Sequence, residues 1–469
     1  MTSTLWRKWS RGMAGGVLGI ATILSGILPV RADEAQSQAP AAAPAISPWS
    51  VQTLLEGEKY GIFPLSWYYD GTFQQPIGPD KFRSLIQATA AKLDALELPK
   101  KASAPSAEKT ESITRETVLR SLYDTLTRYD LPETFGIGKD SPIDYLQKKG
   151  IVEGTDRGLE LETPSTVEQA AVLASRLVEY AYETADAGAK GLLWKVTKGN
   201  NTLYMLGSIH LGIPDMYPMR ESVKDAFESA DALFVEANLA SGDPADMAYF
   251  QQQTMYDDGT TLKDHVSAQT YEKLQQAAGK LNLPVQAFDA YKPWAVTNNL
   301  SLFTLMDSPE DITQAATLGV DMYFLHKAIL TGKPIQELEG VKFQGDLLSN
   351  VPPKEQEKEL NQLLDTIVTP AADAPNPAKQ FKQWQLLWAD GDLDGFTKSY
   401  SESLQSVPNG SMQRLLGERD KNMAKKLSDL LEKEGEATYF VVVGAAHYAT
   451  KGMVIDLLKQ QGYDVQFVP

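Results

Sequence analysis

Leu203-Tyr204-Met205-Leu206-Gly207-Ser208-Ile209-His210 is an apolar run ending in Gly-x-x-His. Phe440-Val441-Val442-Val443-Gly444-Ala445-Ala446-His447 repeats that grammar near the other end of the chain. Each reads as a short buried strand closed by a glycine. Glycine lets the backbone turn sharply or approach a ligand closely. In sheet-based folds ligands gather where strands end and loops leave the scaffold. Two of the chain's four histidines thus stand just beyond a strand exit. A third run, Ala232-Leu233-Phe234-Val235, ends in Glu236. A carboxylate at that place is costly to bury without a cation or a donor. Two histidines and one glutamate delivered to strand ends make a two-His, one-carboxylate site for a divalent metal with open positions.

The surrounding sequence supplies the rest of a sheet. Leu192–Val196 and Thr202–His210 flank Lys198-Gly199-Asn200-Asn201, a tight-turn signal, and read as a hairpin. Lys333–Leu338, Tyr439–Val443 and Asp464–Val468 add strands. Helical patterns lie between them, over Met219–Ala230, Asp246–Met255, Ala268–Leu281, and a long stretch Pro353–Leu431 broken at Pro370–Pro377 and Gly391. Alternation with buried β-branched strands predicts a mixed α/β (α+β) fold over residues 190–469, a central β-sheet flanked by helices.

A small all-helical domain is expected before it, over residues 48–185. Ser47-Pro48 and Pro79 open helices, and so do Thr114-Arg115-Glu116 and Thr163-Pro164-Ser165-Thr166. Ala/Pro/Ser-rich linkers bracket its first half, at residues 33–47 and 100–112. Trp67-Tyr68-Tyr69 is most simply a packing element there. The phrases KKGIVEG and TPSTVEQAAVLASRL resemble S-layer homology repeats. That resemblance implies a grip on a cell-wall polymer; the alternative is a domain that only shields its neighbour.

Composition bounds the chemistry. The 469 residues include 44 basic and 61 acidic side chains, a net charge of −17, which argues against broad nucleic-acid binding. No cysteine is present, so disulfides, thiolate catalysis, cysteine-ligated zinc and lipoprotein attachment are excluded. Arg7, Lys8 and Arg11, the apolar run Met13–Val30 and Val30-Arg31-Ala32 form the three parts of a signal peptide over residues 1–32. An uncleaved anchor is the other reading of that run. After cleavage no stretch is left that is long and apolar enough to span a bilayer. The expected location is outside a bacterial membrane, secreted or held at the cell surface or wall. No phosphate loop, dinucleotide fingerprint, serine elbow or HExxH helix is present.

LYMLGSIHLGIPDMYPMRESVKDAFESADALFVEANL resembles the opening signature of the TraB/PrgY/GumN family, relatives of the Tiki metalloproteases. The likeness continues through Tyr291–Trp294, Leu318–Asp321, Gly332–Ile335, Leu338-Glu339 and Arg419–Ala424, and closes on VVVGAAHYATKGMVIDLLKQQGYDV. It covers about residues 190–469. The resemblance puts metal ligands on His210, Glu236 and His447, and marks Arg419 and Asn422 as polar residues near them. It departs where Thr450 replaces a frequent glycine and Gly452 arrives one residue early. It implies metal-dependent hydrolysis of peptides, with manganese or cobalt favoured and zinc possible; other members are pheromone-shutdown or inhibitory factors.

In that setting Glu236 is a ligand or a general base, with the ligand role preferred. Arg419, always protonated, could stabilise an oxyanion or form a salt bridge. Asn422 is three residues on, expected on the same helix face. Glu339 is a further acidic group for the cleft, or a carboxylate favoured by the start of a helix over Val341–Leu348. His265 and His326 are read as bystanders, and Trp294 as core. The substrate is a peptide or a small molecule. A peptide-sequestering protein and an esterase resembling the erythromycin esterase group remain as alternatives.

Overall fold

The structure is a computed structural model that describes residues 46–101, 112–240, 243–306, 309–370, 376–404 and 416–469. The export signal at 1–32, nearly all of the linker at 33–47, and residues 102–111 of the second linker lie outside the described residues. So do residues 371–375, within the expected break at Pro370–Pro377. Among the described residues no helix is long and apolar enough to cross a membrane.

The chain forms two compact units, one of Gln38–Ala189 with Pro214–Lys224, the other containing Lys190–Ile213 and Asp225–Pro469. The first is helical. Its central helix, Val167–Thr184, buries twelve residues, and a capping box between Thr166 and Gln169 fixes its start. Helices Val51–Lys59, Pro79–Asp94 and Arg115–Leu126 pack around it. Backbone bonds from Ile77 to Ser165 (2.8 Å) and from Ser165 to Ile113 (2.9 Å) tie three helix starts together. Trp67 and Tyr68 are buried and Phe63 stacks on Trp67, so this part of the aromatic cluster is packing. Segment Pro214–Lys224, expected with the sheet, belongs to this unit. Lys92 Nζ donates to the Pro214 carbonyl (2.7 Å), and Lys224 pairs with Glu179 and Glu183 at 2.6 and 2.7 Å.

The second unit holds a mixed α/β sheet of six strands, all anticipated from sequence: β1 Leu192–Lys198, β2 Asn201–Ser208, β3 Ala232–Val235, β4 Ile335–Glu337, β5 Ala437–Gly444 and β6 Val465–Val468. Their order is β4-β3-β5-β2-β1-β6. Gly199, at φ 59°, supplies the left-handed residue of the β1–β2 turn. β2, β5, β3 and β4 run parallel, so their carboxyl ends share one edge. β5 lies between β3 and β2, and Phe440–Val443 are fully buried, as a central parallel strand requires. Phe227 and Phe324 pack on Phe440. Helices Ala268–Lys280, Pro293–Leu305 and Pro353–Val368 contribute to a separate apolar cluster through Leu274, Leu300 and Leu364.

Candidate active site

Pairing of β2 with β5 sets the two Gly-x-x-His exits side by side. Gly207 lies opposite Val443 and Ser208 opposite Gly444. On the other flank of β5, Val235 pairs with Val442, so Glu236 leaves the sheet at the same edge. Close packing at Gly207 leaves no room for a side chain, since a Cβ there would stand 2.9 Å from the Cα of Ala445.

His210 sits two residues past β2 in a loop held by backbone contacts. Val320 donates to the Ile209 carbonyl (3.0 Å) and Gly212 to that of Ala315 (2.7 Å). A Cβ on Gly319 would lie 2.2 Å from the His210 carbonyl oxygen, so this approach needs glycine. Helix Val320–Thr331 therefore begins beside the histidine, and Asp321 in its first turn faces it. Asp321 Oδ2 is 2.5 Å from His210 Nδ1, and its Oδ1 accepts from Ser208 Oγ at 2.8 Å. Burial disfavours the imidazolium, but the Asp321 charge and hydrogen bond outweigh it and hold the His210 pKa above its usual value.

His447 lies on the short helix Ala445–Ala449 directly after β5 and is 1% exposed. Its Nδ1 is 3.0 Å from Oδ1 of Asp420, which is completely buried in the first turn of helix Glu418–Leu431. Both histidines thus have a carboxylate behind Nδ1, which leaves Nε2 as the lone-pair nitrogen.

Glu236 is buried and held on both oxygens. Oε1 accepts from the Gly444 N–H (2.7 Å), Oε2 from Arg419 Nη2 (3.0 Å) and Gln344 Nε2 (3.2 Å). Burial alone would raise its pKa; the positive charges of His447, Arg419 and His210, with the Gly444 N–H, lower it to about 2. Arg419 also forks onto Glu339, Nε to Oε1 at 2.8 Å and Nη2 to Oε2 at 2.6 Å. Desolvation is overcome there by Glu339, Glu236 and Asp420, and the guanidinium is held all the more firmly charged. Glu339 is placed by backbone bonds from Glu339 and Gly340 to the Glu236 carbonyl, at 2.9 and 2.8 Å.

Of the six residues singled out from sequence, the structure brings together His210, Glu236, His447, Arg419 and Glu339. Asn422 is exposed on helix Glu418–Leu431, whereas Arg419 is 4% exposed. Three residues advance a helix by 300°, so Asn422 is turned about 60° away from the arginine. Arg419 meets two carboxylates in this geometry, which makes it a positioning residue for Glu236. His265 is exposed and stacks on Tyr256, and His326 is half-buried. Asp321, Asp420 and Gln344 were not singled out from sequence. Asp321 and Asp420 each fall in a helix first turn, a signal available but shared by many carboxylates.

The donor set suits a divalent cation chemically. A Cβ placed on Gly444 would lie 3.3 Å from Glu236 Oε1, 3.6 Å from His210 Nε2 and 3.8 Å from His447 Cδ2, so all three side chains face one small space. With both imidazoles neutral, as metal ligands must be, the carboxylates of Glu236, Glu339, Asp321 and Asp420 outnumber the guanidinium of Arg419. Such an excess of buried negative charge favours a cation. As they stand, the ligand atoms are not drawn in: among the described residues no group of three or more His, Asp or Glu has the geometry to hold an ion. A cation entering here meets Glu236 Oε1, which accepts from the Gly444 N–H, while Arg419 holds the other oxygen.

The sequence model of the TraB/PrgY/gumN family matches residues 192–466. The uncharacterized protein YbaP of Escherichia coli (strain K12) is 26% identical over 262 residues, covering 56% of this chain and 89% of YbaP. Metalloprotease TIKI1 of Xenopus tropicalis is 22% identical over 318 residues, 59% of this chain and 61% of that protein. Metalloprotease TIKI2 of Danio rerio is 21% identical over 303 residues, 57% of this chain and 58% of that protein. The chain thus spans about three fifths of the length of these two Tiki proteins. No solved structure matches it significantly.

Proposed function

The chain belongs to the TraB/PrgY/gumN family, and from that premise we propose that it is an exported, metal-dependent hydrolase that cuts peptides. The observation that carries this reading is the convergence of His210, Glu236 and His447 on the space beside Gly444. His210 Nε2, His447 Nε2 and Glu236 would hold a divalent ion, with manganese or cobalt preferred to zinc on the family resemblance. Such an ion supplies a bound water of lowered pKa and polarises a carbonyl. Asp321 and Asp420 hold the Nδ1 protons and fix the tautomer that presents Nε2. The Gly444 N–H and Arg419 orient Glu236, and Glu339 orients Arg419. Near-complete burial of His447 and Arg419 excludes bulk water behind the ligands, which strengthens every charge interaction in the site.

The hydrogen bonds on both Glu236 oxygens favour a second reading, peptide capture without turnover: Oε1, which faces the shared space, already accepts from the Gly444 N–H, and Oε2 is held by Arg419. Metal analysis of the purified full-length protein, followed by peptide-library cleavage with added manganese, separates the two. Manganese-dependent cleavage lost in His447→Ala supports the hydrolase. Bound metal with no cleavage supports capture, and cleavage unaffected by His447→Ala refutes the proposed mechanism. The proposed location, outside a bacterial membrane and either secreted or held at the cell surface or wall, is tested by fractionation, and co-sedimentation of the full chain with purified cell walls distinguishes a wall-gripping helical unit from one that only shields its neighbour. A purely cytoplasmic, unbound protein would overturn it.

A further inference from the structure

The segment that follows β4 grips Glu236 twice. Its backbone does so at Glu339 and Gly340, whose N–H groups donate to the Glu236 carbonyl. Its side chains do so through Gln344, which lies on helix Val341–Ser349 and is 5% exposed. Gln344 Nε2 donates at 3.2 Å to Glu236 Oε2 and at 3.2 Å to Glu339 Oε2. Arg419 Nη2 meets the same two oxygens, at 3.0 and 2.6 Å. Two nitrogens and two carboxylate oxygens thus close a ring of hydrogen bonds, and one amide nitrogen spends both its protons there. Chemistry fixes the orientation of the amide, since turned over its carbonyl would face two carboxylate oxygens. As it stands, that carbonyl is buried and has no hydrogen-bond partner among the described residues. An unpaired buried carbonyl is costly, and the cost goes with keeping both N–H groups on the carboxylates. The helix that carries Gln344 is itself held in place. A Cβ on Gly345 would stand 3.0 Å from the Phe250 ring, and Val341 lies in a buried cluster with Phe250 and Trp294.

We propose that Gln344 is a positioning residue for Glu236: it holds Oε2 back, so that Oε1 alone is presented to the space beside Gly444. Arg419 by itself is a weaker lock, because its Nη2 sits closer to Glu339 (2.6 Å) than to Glu236 (3.0 Å). The amide gives Oε2 a second donor and ties it to Glu339, whose own place the backbone sets. It does this without charge. A lysine would donate as well, but it would set a second positive charge beside the guanidinium and repel an entering cation. With Oε2 held, Glu236 meets an ion through one oxygen. The coordination position that a second oxygen would take then stays open to water or a substrate carbonyl. That role toward an ion rests on the metal-site reading above; the hold on Oε2 does not.

Infrared difference spectra recorded as manganese is added to the full-length protein read how Glu236 binds. The gap between the asymmetric and symmetric carboxylate stretches is wide for binding through one oxygen and narrow for chelation. Glu236 is the single carboxylate in the proposed ligand set, so the change reports on it. Wild type should show the wide gap. Gln344→Met keeps the length and bulk of the side chain and removes both donors. It should narrow the gap and weaken manganese binding about 10-fold by titration calorimetry. A narrow gap in the wild type overturns the proposal even if the variant fails to fold. A folded Gln344→Met with the wild-type gap and affinity sinks the positioning role and leaves the metal site standing. Labelling the glutamines with nitrogen-15 gives a metal-free reading by magnetic resonance. The side-chain amide signal lost in Gln344→Met should have both protons shifted downfield and protected from solvent exchange. Two unprotected protons at the position of exposed glutamines would overturn the hold without any metal. No manganese binding, with both amide protons still shifted and protected, sinks the metal site and keeps the hold on Glu236.

Discussion

Replacing Gly444 with alanine probes the cradle with little disturbance of the fold. Gly444 has φ −48° and ψ 132°, a conformation alanine adopts freely, so the change adds no backbone strain. The new methyl would stand 3.3 Å from Glu236 Oε1, 3.6 Å from His210 Nε2 and 3.8 Å from His447 Cδ2. Only the first contact is tight, and it asks Glu236 to yield by a few tenths of an ångström. Overpacking costs about 1–3 kcal/mol. Restricting the unfolded chain returns about 0.4–1 kcal/mol. With one tight contact the net loss should be about 1 kcal/mol, a fall of a few degrees in Tm. Cation binding should suffer far more. Ligand atoms must close to about 2.0–2.3 Å around an ion, and a methyl would fill the space they face. We expect manganese affinity to fall at least ~100-fold, about 2.8 kcal/mol. Titration calorimetry with manganese reads the affinity, and a thermal melt of the same sample reads the fold. A Gly444→Ala protein that melts normally and binds manganese as the wild type does would refute the reasoning.

Three further outcomes follow from the same geometry. Asp420→Asn and Asp321→Asn remove the carboxylate behind His447 or His210, and each should weaken metal affinity about 10- to 100-fold, measured by the same titration; unchanged affinity in both would show that the histidines are not oriented as described. Arg419→Met strands two buried carboxylates and should cost about 3–5 kcal/mol in urea unfolding, with Arg419→Lys recovering only part because an ammonium cannot reproduce the fork onto Glu339; a loss below about 1 kcal/mol would contradict the pairing. In the helical unit, burial lowers the Lys92 pKa to about 8 despite the opposing charge of Asp215. An unfolded lysine titrates near 10.4, so between these values the unfolded chain binds more protons and stability rises with pH. Wild type should therefore gain on Lys92→Met, by an amount on the order of 2 kcal/mol, as pH is raised from about 7 to 10; a difference flat with pH would show that Lys92 is not desolvated.

Much of the fold was legible because its strands are buried. Leu203–Leu206 and Phe440–Val443 are continuous apolar runs, as parallel strands covered on both faces must be. Glycines after them marked where the chain leaves the sheet. Strand order was not legible, because no local feature of β2 says that β5, more than two hundred residues on, will pair beside it. That pairing brings the two histidines together. Asp321 and Asp420 were hidden for a related reason: a carboxylate in a first helical turn looks the same whether it faces solvent or an imidazole. Asn422 shows the limit of helical spacing, since an i, i+3 relation leaves about 60° of rotation undecided, and here it separates a buried arginine from an exposed amide. The aromatic pocket beside His210 and Gly444 was unreadable as a pocket. Phe381, Trp384, Phe396 and Tyr400 sit on two helices within one long helical pattern, and only tertiary packing turns their faces toward Gly444.

Crystals soaked in manganese, with diffraction recorded at the metal's absorption edge, address the central claim most directly. The account predicts one strong anomalous peak beside Gly444, within about 2.0–2.3 Å of His210 Nε2, His447 Nε2 and Glu236 Oε1, with Arg419 still paired to Oε2. A peak elsewhere, or none at a manganese concentration that saturates the protein in solution, would contradict it.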